Sequence, residues 1–591
     1  MKLELEGPEV AVSAPRTILL TVLGVKPTSQ RYTLGEECAE ATIATIALCS
    51  LLPDAQRPGE VVALCTREAR DETFPALEAE LRERCTVRAV EVPGARTQDE
   101  IERYLHTVVQ AVPPAGDERI DLILDLTHGF RHLPFLTYVA VMYLTALSNV
   151  RLVAAYYGML ERGVDVAPFL DLQPLLTLPR WFHAVEVLRR WGDVSPIAEL
   201  VGQGAHGQQA RQIDGDLRRL SRAYLAGQPL ELGRLVNRFR RQRKRVFAKL
   251  LRNEHRLPLA KKLVRQIDKS LRPFEIPGQL SGDGWKRDVV LNEDELQRQA
   301  SLIDGLFERG HRPVALGLLR EWVVSWALLR LGRTGDWLER EARETGQNHL
   351  GALRAIAEDS ALGERLTPQQ RELAEFWGSL SDLRNAYHHH AMRRQDMSAD
   401  QSGTNRLKRI VEYWCDVLRP LPQIDLQPGG ARQGNTLVSP IGMRPGVLFS
   451  AVRVASREAS DGLRRCLVIC SKSTRPLAAE ALARAAPEPQ PELEYLELED
   501  EFGGTDELDS LVRRAKPHLI PSAEVLVNVT GGTTLMGLLA ESIATAARRL
   551  ACPVRRFGLI DRRPPREQEE GPYVEGEPFW LDSGAGDGDA D

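Results

Sequence analysis

The chain has 591 residues, 43% of them hydrophobic and 27% charged, with a formal net charge of −5 at pH 7. At roughly 100–200 residues per domain that length predicts three or four domains, each able to bury its own core. The balance of charge excludes a protein that coats nucleic acid by bulk attraction, so any nucleic-acid site has to be a local basic surface.

The N-terminal stretch MKLELEGPEVAVSAPRT holds no apolar signal region. From about residue 16 to 178, short apolar runs alternate with helical patterns. RTILLTVLG, EVVALCT, VRAVEVPG, IDLILDL and VRLVAAYYG read as strands, and residues 36–52, TFPALEAELRERC, TQDEIERYLHTVVQAV and 133–147 as helices. Such alternation predicts a parallel, doubly wound sheet. The segment LPFLTYVAVMYLTAL is too short to cross a bilayer and reads as a buried helix, so a cytoplasmic protein without membrane contact is expected. From about 179 to 430 the strand signals vanish and helical periodicity takes over, which predicts an all-α region. From about 431 the alternation returns, with strands at NTLVSPIG, RCLVICS, LEYLELE, AEVLVNVT and PVRRFGLI. The eight cysteines include no CxxC pair. Cys466 and Cys470 fall on one predicted strand roughly 13 Å apart at about 3.3 Å per residue, too far to share a metal, and read as buried reduced thiols. The acidic tail DSGAGDGDAD is expected to be disordered.

The outer thirds share an order of elements. Each opens with a strand ending at a glycine, Gly24 or Gly442, and each later carries an apolar strand ending in a Thr/Gly turn, DLTHG or NVTGG. In an open α/β sheet ligands bind beyond the carboxyl ends of the strands, where helix N-termini suit phosphates. Gly24, Val25, Lys26, Thr127, His128, Gly129, Phe130 and Arg131 are the candidate ligand residues of the first copy. Gly442, Met443, Arg444, Asn528, Thr530, Gly531, Gly532 and Thr533 are those of the second. Thr127 and Thr530 would supply hydroxyl donors, Arg131 a phosphate partner, and His128 a hydrogen bond or a stacking face.

ILDLTHGFRHLPFLTYVAVMYL resembles the signature segment of CRISPR-associated Rossmann-fold (CARF) domains, and NVTGGTTLM and SPIGMRPGV resemble another branch of that family. LGVKPTSQRY departs from the small-residue and aromatic pattern of its first-strand loop. The resemblance implies that both outer thirds bind a cyclic oligoadenylate at a two-fold interface, with cyclic tetra-adenylate favoured and hexa-adenylate the rival.

In the helical third, SDLRNAYHHHAMRR places Arg384 and Asn385 ahead of His388, His389 and His390. Metal-free RNA cleavage by the 2′-OH needs a proton carrier that works near neutrality, which suits histidine, and a fixed cation on the developing phosphorane charge, which suits arginine. Three consecutive histidines diverge around a helix, so no metal site is expected there. On helical spacing His388 shares a face with Arg384, whereas His389 is rotated by roughly 140° and would meet Arg384 at a helix end or across a dimer. The motif resembles the RNxxxH signature of HEPN ribonucleases, which implies Arg384, Asn385 and His389 as catalytic residues, His388 as the alternative, and a site completed by a second copy. Arg320-Glu321 resembles an upstream helix of that family. A second RN…H, at Arg252-Asn253-Glu254-His255, lies in a basic stretch that is either a solvated helix or an RNA guide.

The expectation is therefore a multidomain chain, two Rossmann-like α/β (CARF-like) domains flanking an all-α HEPN-like domain. The expected boundaries are a CARF-like domain at 1–178, a helical connector at 179–300, a HEPN-like domain at 301–430, a second CARF-like domain at 431–582 and a tail at 583–591. The implied activity is a homodimeric endoribonuclease of type III CRISPR antiviral defence, free of cofactor and metal and switched on allosterically by the ring. It would cleave single-stranded RNA to a 2′,3′-cyclic phosphate. The alternatives are a ring-binding regulator with an inactive helical domain, or a ring nuclease, for which Thr530 and Lys472 are candidates.

Overall fold

The computed structural model describes the chain outside residues 1–15, 26–27, 113–118, 161–163, 204–207, 247–259, 279, 281, 391, 393–400, 429–431, 460, 501–506 and 583–591. Lys26, the Arg252–His255 motif and residues 583–591 of the acidic tail lie outside the described residues, while Asp582, the first residue of DSGAGDGDAD, is described and pairs with Arg556 at 2.7 Å. Two compact units emerge, one drawn from Met1–Val187, Pro196–Ala210 and Phe247–Val264, the other from Leu188–Ser195, Arg211–Val246 and Arg265–Asp591.

The first unit is built on eight strands: β1 (Arg16–Val22), β2 (Gln30–Leu34), β3 (Glu37–Ala41), β4 (Glu60–Cys65), β5 (Thr86–Glu91), β6 (Ile120–Asp125), β7 (Val150–Gly158) and β8 (Val166–Asp171). Their order is β3-β2-β8-β7-β6-β1-β4-β5. β1 runs parallel to both β4 and β6, and β8 returns antiparallel to β7. β4 and β6 are buried along their whole length, which is why they read as continuous apolar runs. The two-residue period divides β1 between two cores. Ile18, Leu20 and Val22 pack with Tyr104, Leu133 and Val141, while Leu19 and Leu23 pack with Ile43, Leu48 and Leu77. Residues 36–52, expected to be helical, are in fact part strand and part helix. β3 pairs with β2 as an antiparallel hairpin, and the helix spans only Ala44–Leu51. Glu37 and Glu40 stand three apart, on opposite faces of β3, and both are exposed, so the run shows neither a continuous apolar stretch nor a period of two.

The second unit carries six strands: β9 (Asn435–Pro440), β10 (Leu463–Ser471), β11 (Glu492–Leu498), β12 (Val525–Asn528), β13 (Val554–Ile560) and β14 (Glu577–Trp580). Their order is β11-β10-β9-β12-β13-β14, with only β14 antiparallel to its neighbour. Read from β14, this is the same order as β8-β7-β6-β1-β4-β5. The topology reverses between β1 and β6 in one sheet and between β9 and β12 in the other, and each is the switch point where such sheets bind ligands.

Between Asp171 and Asn435 the regular elements among the described residues are all helices or helical turns. Within the second unit, helices Glu293–Glu308, Arg312–Arg330, Arg340–Ala357, Pro368–His388 and Gln401–Tyr413 enclose Trp322, Trp326 and Trp414, all fully buried. Trp322 and Trp414 meet edge to face at 4.8 Å. Their indole N–H groups donate to Leu296 O and Asp304 Oδ1, each at 2.8 Å, as buried donors require. Cys466 and Cys470, both on β10, are buried in the core. Among the described residues no helix is long and apolar enough to cross a membrane.

Candidate functional sites at two strand-end turns and one helix end

The turn after β6 is fixed from below by a buried carboxylate. Asp125 Oδ2 accepts from Thr45 Oγ1 at 2.7 Å and Thr21 Oγ1 at 3.1 Å, while Oδ1 accepts from the Thr127 N–H at 3.1 Å. Thr21, Thr45 and Asp125 are all fully buried, and the carboxylate is matched by donors as burial demands. Thr127 Oγ1 accepts from the Gly158 N–H at 2.9 Å, which leaves its own hydrogen available to a ligand. Gly129 has φ +94°, and a Cβ there would stand 2.6 Å from Val22 Cγ1. Gly24 backs onto the same turn, its added Cβ 3.5 Å from Gly129 N. Phe130, Arg131 and Val25 are exposed on the rim, and helix His132–Leu147 starts immediately after them.

The turn after β12 repeats this scaffold. Asn528 Oδ1 accepts from the Thr530 N–H at 3.0 Å, and Asn528 Nδ2 donates to Ser439 Oγ at 3.0 Å. Thr530 Oγ1 accepts from the Leu559 N–H at 2.8 Å. Gly531 and Gly532 have φ +99° and +74°, and a Cβ on Gly442 would meet Gly532 N at 3.1 Å. Asp125/Asn528, Thr127/Thr530, Thr21/Ser439 and Gly24/Gly442 are therefore matched positions of two matched sheets. Thr533 caps helix Thr534–Arg549 by accepting from the Met536 N–H. Met443 is exposed, and Arg444 Nη1 donates to Gln568 Oε1 at 2.8 Å. Lys472 is exposed at the end of β10, separated from β12 by β9.

One side chain is used differently from expectation. His128 turns its Nε2 inward to accept the Ala44 N–H at 3.0 Å, at the start of helix Ala44–Leu51. Burial holds the imidazole below its ordinary value, against the pull of the Asp125 carboxylate. A lowered histidine pKa means that folding favours the neutral ring. Its contribution is complete above the unfolded value near 6.5 and is lost as pH falls from there toward the folded value. Replacing His128 by Gln keeps an acceptor and removes the titration. The fall in melting temperature between pH 7.5 and 5.5 is expected to be shallower in His128→Gln than in the unmodified chain.

Helix Pro368–His388 begins with a Thr367/Gln370 capping box and Pro368 in its first turn. It ends at the histidines. His389 is the C-cap, with φ −89° and ψ 11°, and its N–H bonds back to Asn385 O at 2.9 Å. His390 follows at φ +52°. His389 is half-buried, and His388 and His390 are exposed. Arg384 is half-buried and its Nη1 donates to Asn385 Oδ1 at 3.2 Å. Helical spacing ceases to apply at His389, so the rotation computed for position i+5 does not describe where its ring goes. The His388 and His389 rings meet edge-on at 5.8 Å. Two turns back, Arg320 lies over the Trp377 ring at 5.4 Å and bonds to Glu321 and Gln347, while Glu321 pairs with Arg343 at 2.8 Å. This polar cluster joins three helices, and only its Arg320-Glu321 pair was visible from the sequence.

No family model matches the chain. A stretch of 109 residues is 31% identical to the CRISPR-associated protein MJ1674 of Methanocaldococcus jannaschii, covering 18% of this chain and 16% of that protein. The chain thus spans under a fifth of that curated relative. Among solved structures, Enterococcus italicus Csm6 bound to cyclic hexa-2′-fluoro-hexa-dAMP aligns with a TM-score of 0.31 at 11% identity, over 70% of this chain and 96% of that one. A type III CRISPR defence DNA nuclease activated by cyclic oligoadenylate aligns with a TM-score of 0.16 at 12% identity, over 92% and 65% of the two chains. Over the matched stretch, the chain is similar to a CRISPR-associated protein.

Proposed function

We infer that the chain is an endoribonuclease of type III CRISPR defence, switched on by a cyclic oligoadenylate and independent of metal. The observation that carries this reading is the strand-end turn at each switch point, held by an Asp/Asn-x-Thr bond pattern and shaped by left-handed glycines. Such a turn brings backbone and a threonine hydroxyl toward a phosphate. The second support is Arg384 beside Asn385 with His389 where the helix ends, the residue types that 2′-OH attack on RNA requires. By linkage, the ring binds the cutting state more tightly than the resting one. The test is cleavage of single-stranded RNA in EDTA with cyclic tri-, tetra- or hexa-adenylate. One ring, with the tetra-adenylate expected, stimulates cutting. Ring loss without RNA loss would mean a ring nuclease instead, and binding without either would mean a regulator.

Pairing of two copies is part of the reading. Phe135, Val139, Tyr143 and Leu147 recur every four residues along helix His132–Leu147, and all are exposed, from 40% at Val139 to 66% at Leu147. A self-complementary apolar stripe suits a two-fold axis, and this one begins at the Thr127–Arg131 turn. Burying one such side chain is worth about 1.5–3 kcal/mol. Tyr143→Glu is accordingly expected to weaken self-association at least about tenfold, read by analytical ultracentrifugation.

A further inference from the structure

The two matched turns differ in what lies over them. In the first sheet β7 and β8 are joined by seven residues, 159–165, whereas β13 and β14 are joined by sixteen, Asp561–Gly576. That longer connection carries five acidic and three basic side chains. It includes the short helix Pro565–Glu570 and lies against the residues that open the second ligand rim.

The attachment is extensive. Arg444 donates to Gln568 at 2.8 Å and pairs with Glu569 at 3.5 Å. Gly446, first residue of helix Gly446–Glu458, has no room for a Cβ because the Pro572 carbonyl oxygen occupies that space. Ser450, 4% exposed, donates to Val574 O at 3.1 Å and accepts from the Gly576 N–H at 3.1 Å. Arg457 pairs with Glu575 at 2.6 Å, and Tyr573 packs on Phe449 and under Arg484. The connection is also braced within itself. Arg563 bonds to Asp561 and to Gly571 O, and Gln568 bonds to Arg563 O. What remains beside Thr530 is a cleft of about 250 Å³, lined by Arg444, Val447, Asp561 and Gln568 among others. Sites for drug-sized ligands run from about 300 to 1,000 Å³, and a ring of four nucleotides is larger than a drug.

We propose that the Asp561–Gly576 strap closes the second turn to a cyclic oligoadenylate, with Gln568 and Glu569 holding the arginine that would otherwise meet a phosphate, so that the first turn is the sensor. The inference rests on the ring-binding reading and assigns different work to the two copies. A polyanionic ring is repelled by the strap carboxylates and finds its cation already hydrogen-bonded. To bind, it has to displace a segment anchored at Ser450, Glu575 and Tyr573 as well. The bonding scaffold under both turns matches, and the strap covers the second turn alone.

The experiment is equilibrium binding of radiolabelled cyclic tetra-adenylate to the full chain. Gly129→Ala, which disturbs only the first turn, is expected to weaken binding about a hundredfold. Adding Gln568→Ala and Glu569→Gln to that variant is expected to restore at least a tenfold part of it. A second form, with residues 563–571 replaced by a short Gly-Ser linker in the Gly129→Ala chain, is expected to do the same, and circular dichroism reports whether it folds. If Gly129→Ala binds the ring as tightly as the unmodified chain, or if neither strap variant recovers binding, the strap does not close the site. If the unmodified chain binds none of the cyclic tri-, tetra- or hexa-adenylates, the functional reading itself fails and this inference falls with it.

Discussion

Replacing Arg384 or His389 by alanine should lower ring-stimulated RNA cleavage about a thousandfold, whereas His388→Ala should cost less than tenfold. As the 2′-OH attacks, negative charge grows on the phosphate oxygens, and a fixed donor aimed at it is worth about 10²–10³ in rate. A positioned histidine that moves a proton adds about 10²–10⁴. Arg384 is half-buried and steered by Asn385, so its guanidinium is constrained before substrate arrives. His389 leaves the helix as its C-cap and is half-buried, while His388 remains on the last helical turn and is exposed. The double variant Arg384→Ala/His389→Ala should be little worse than either single one, because residues that act as a unit are not additive. Single-turnover rates at saturating ring measure this. Equal cutting by Arg384→Ala and the unmodified chain would remove the site from this helix.

The second large effect belongs to Gly129. At φ +94°, alanine carries a strain of about 1–3 kcal/mol, and its Cβ would stand 2.6 Å from Val22 Cγ1. Val22 is in the core and cannot retreat, so the turn has to move. Hydrogen bonds to a charged group are worth about 1.5–3 kcal/mol each, and losing one or two of them raises the ring concentration for half-maximal activation by about a hundredfold. The matched change in the second sheet, Gly532→Ala, meets Met536 Sδ at 2.6 Å. With the strap in place it should move that concentration by less than about threefold. Dose–response curves of RNA cleavage against ring concentration check both, with melting temperatures to confirm folding.

The central strands were legible because burial on both faces leaves a continuous apolar signature. β1, β4, β6, β9 and β12 all read directly. The short strands β2, β3, β8 and β14 were not, whereas β5 and β11, at the opposite edges of their sheets, were. β3 mixes two glutamates with small residues, and β8 and β14 carry Pro168 and Pro578 in short runs with half of each exposed. Nothing in such runs distinguishes a short strand from a loop. The turn residues were found by their Thr/Gly lettering, yet the inward role of His128 depends on an N–H 84 positions away, and no local window contains that. The strap was invisible for a related reason. PPREQEEGPYVEGEP has the composition of a solvated loop, and its meaning comes from Arg444, Gly446 and Ser450, which the fold brings to it.

The matched turns also bear on how relatives are to be recognised. Thr21 with Asp125, and Ser439 with Asn528, perform one bonding task with different letters, a hydroxyl beneath a forked side chain whose other arm fixes the next turn. A template that scores residue identity treats these as mismatches. One written as hydrogen-bonded pairs at fixed offsets, whichever partner donates, with a small residue three places after the hydroxyl and a threonine two places after the fork, would align both halves of this chain. It would also reach distant sequences that share the bonding pattern but not the alphabet.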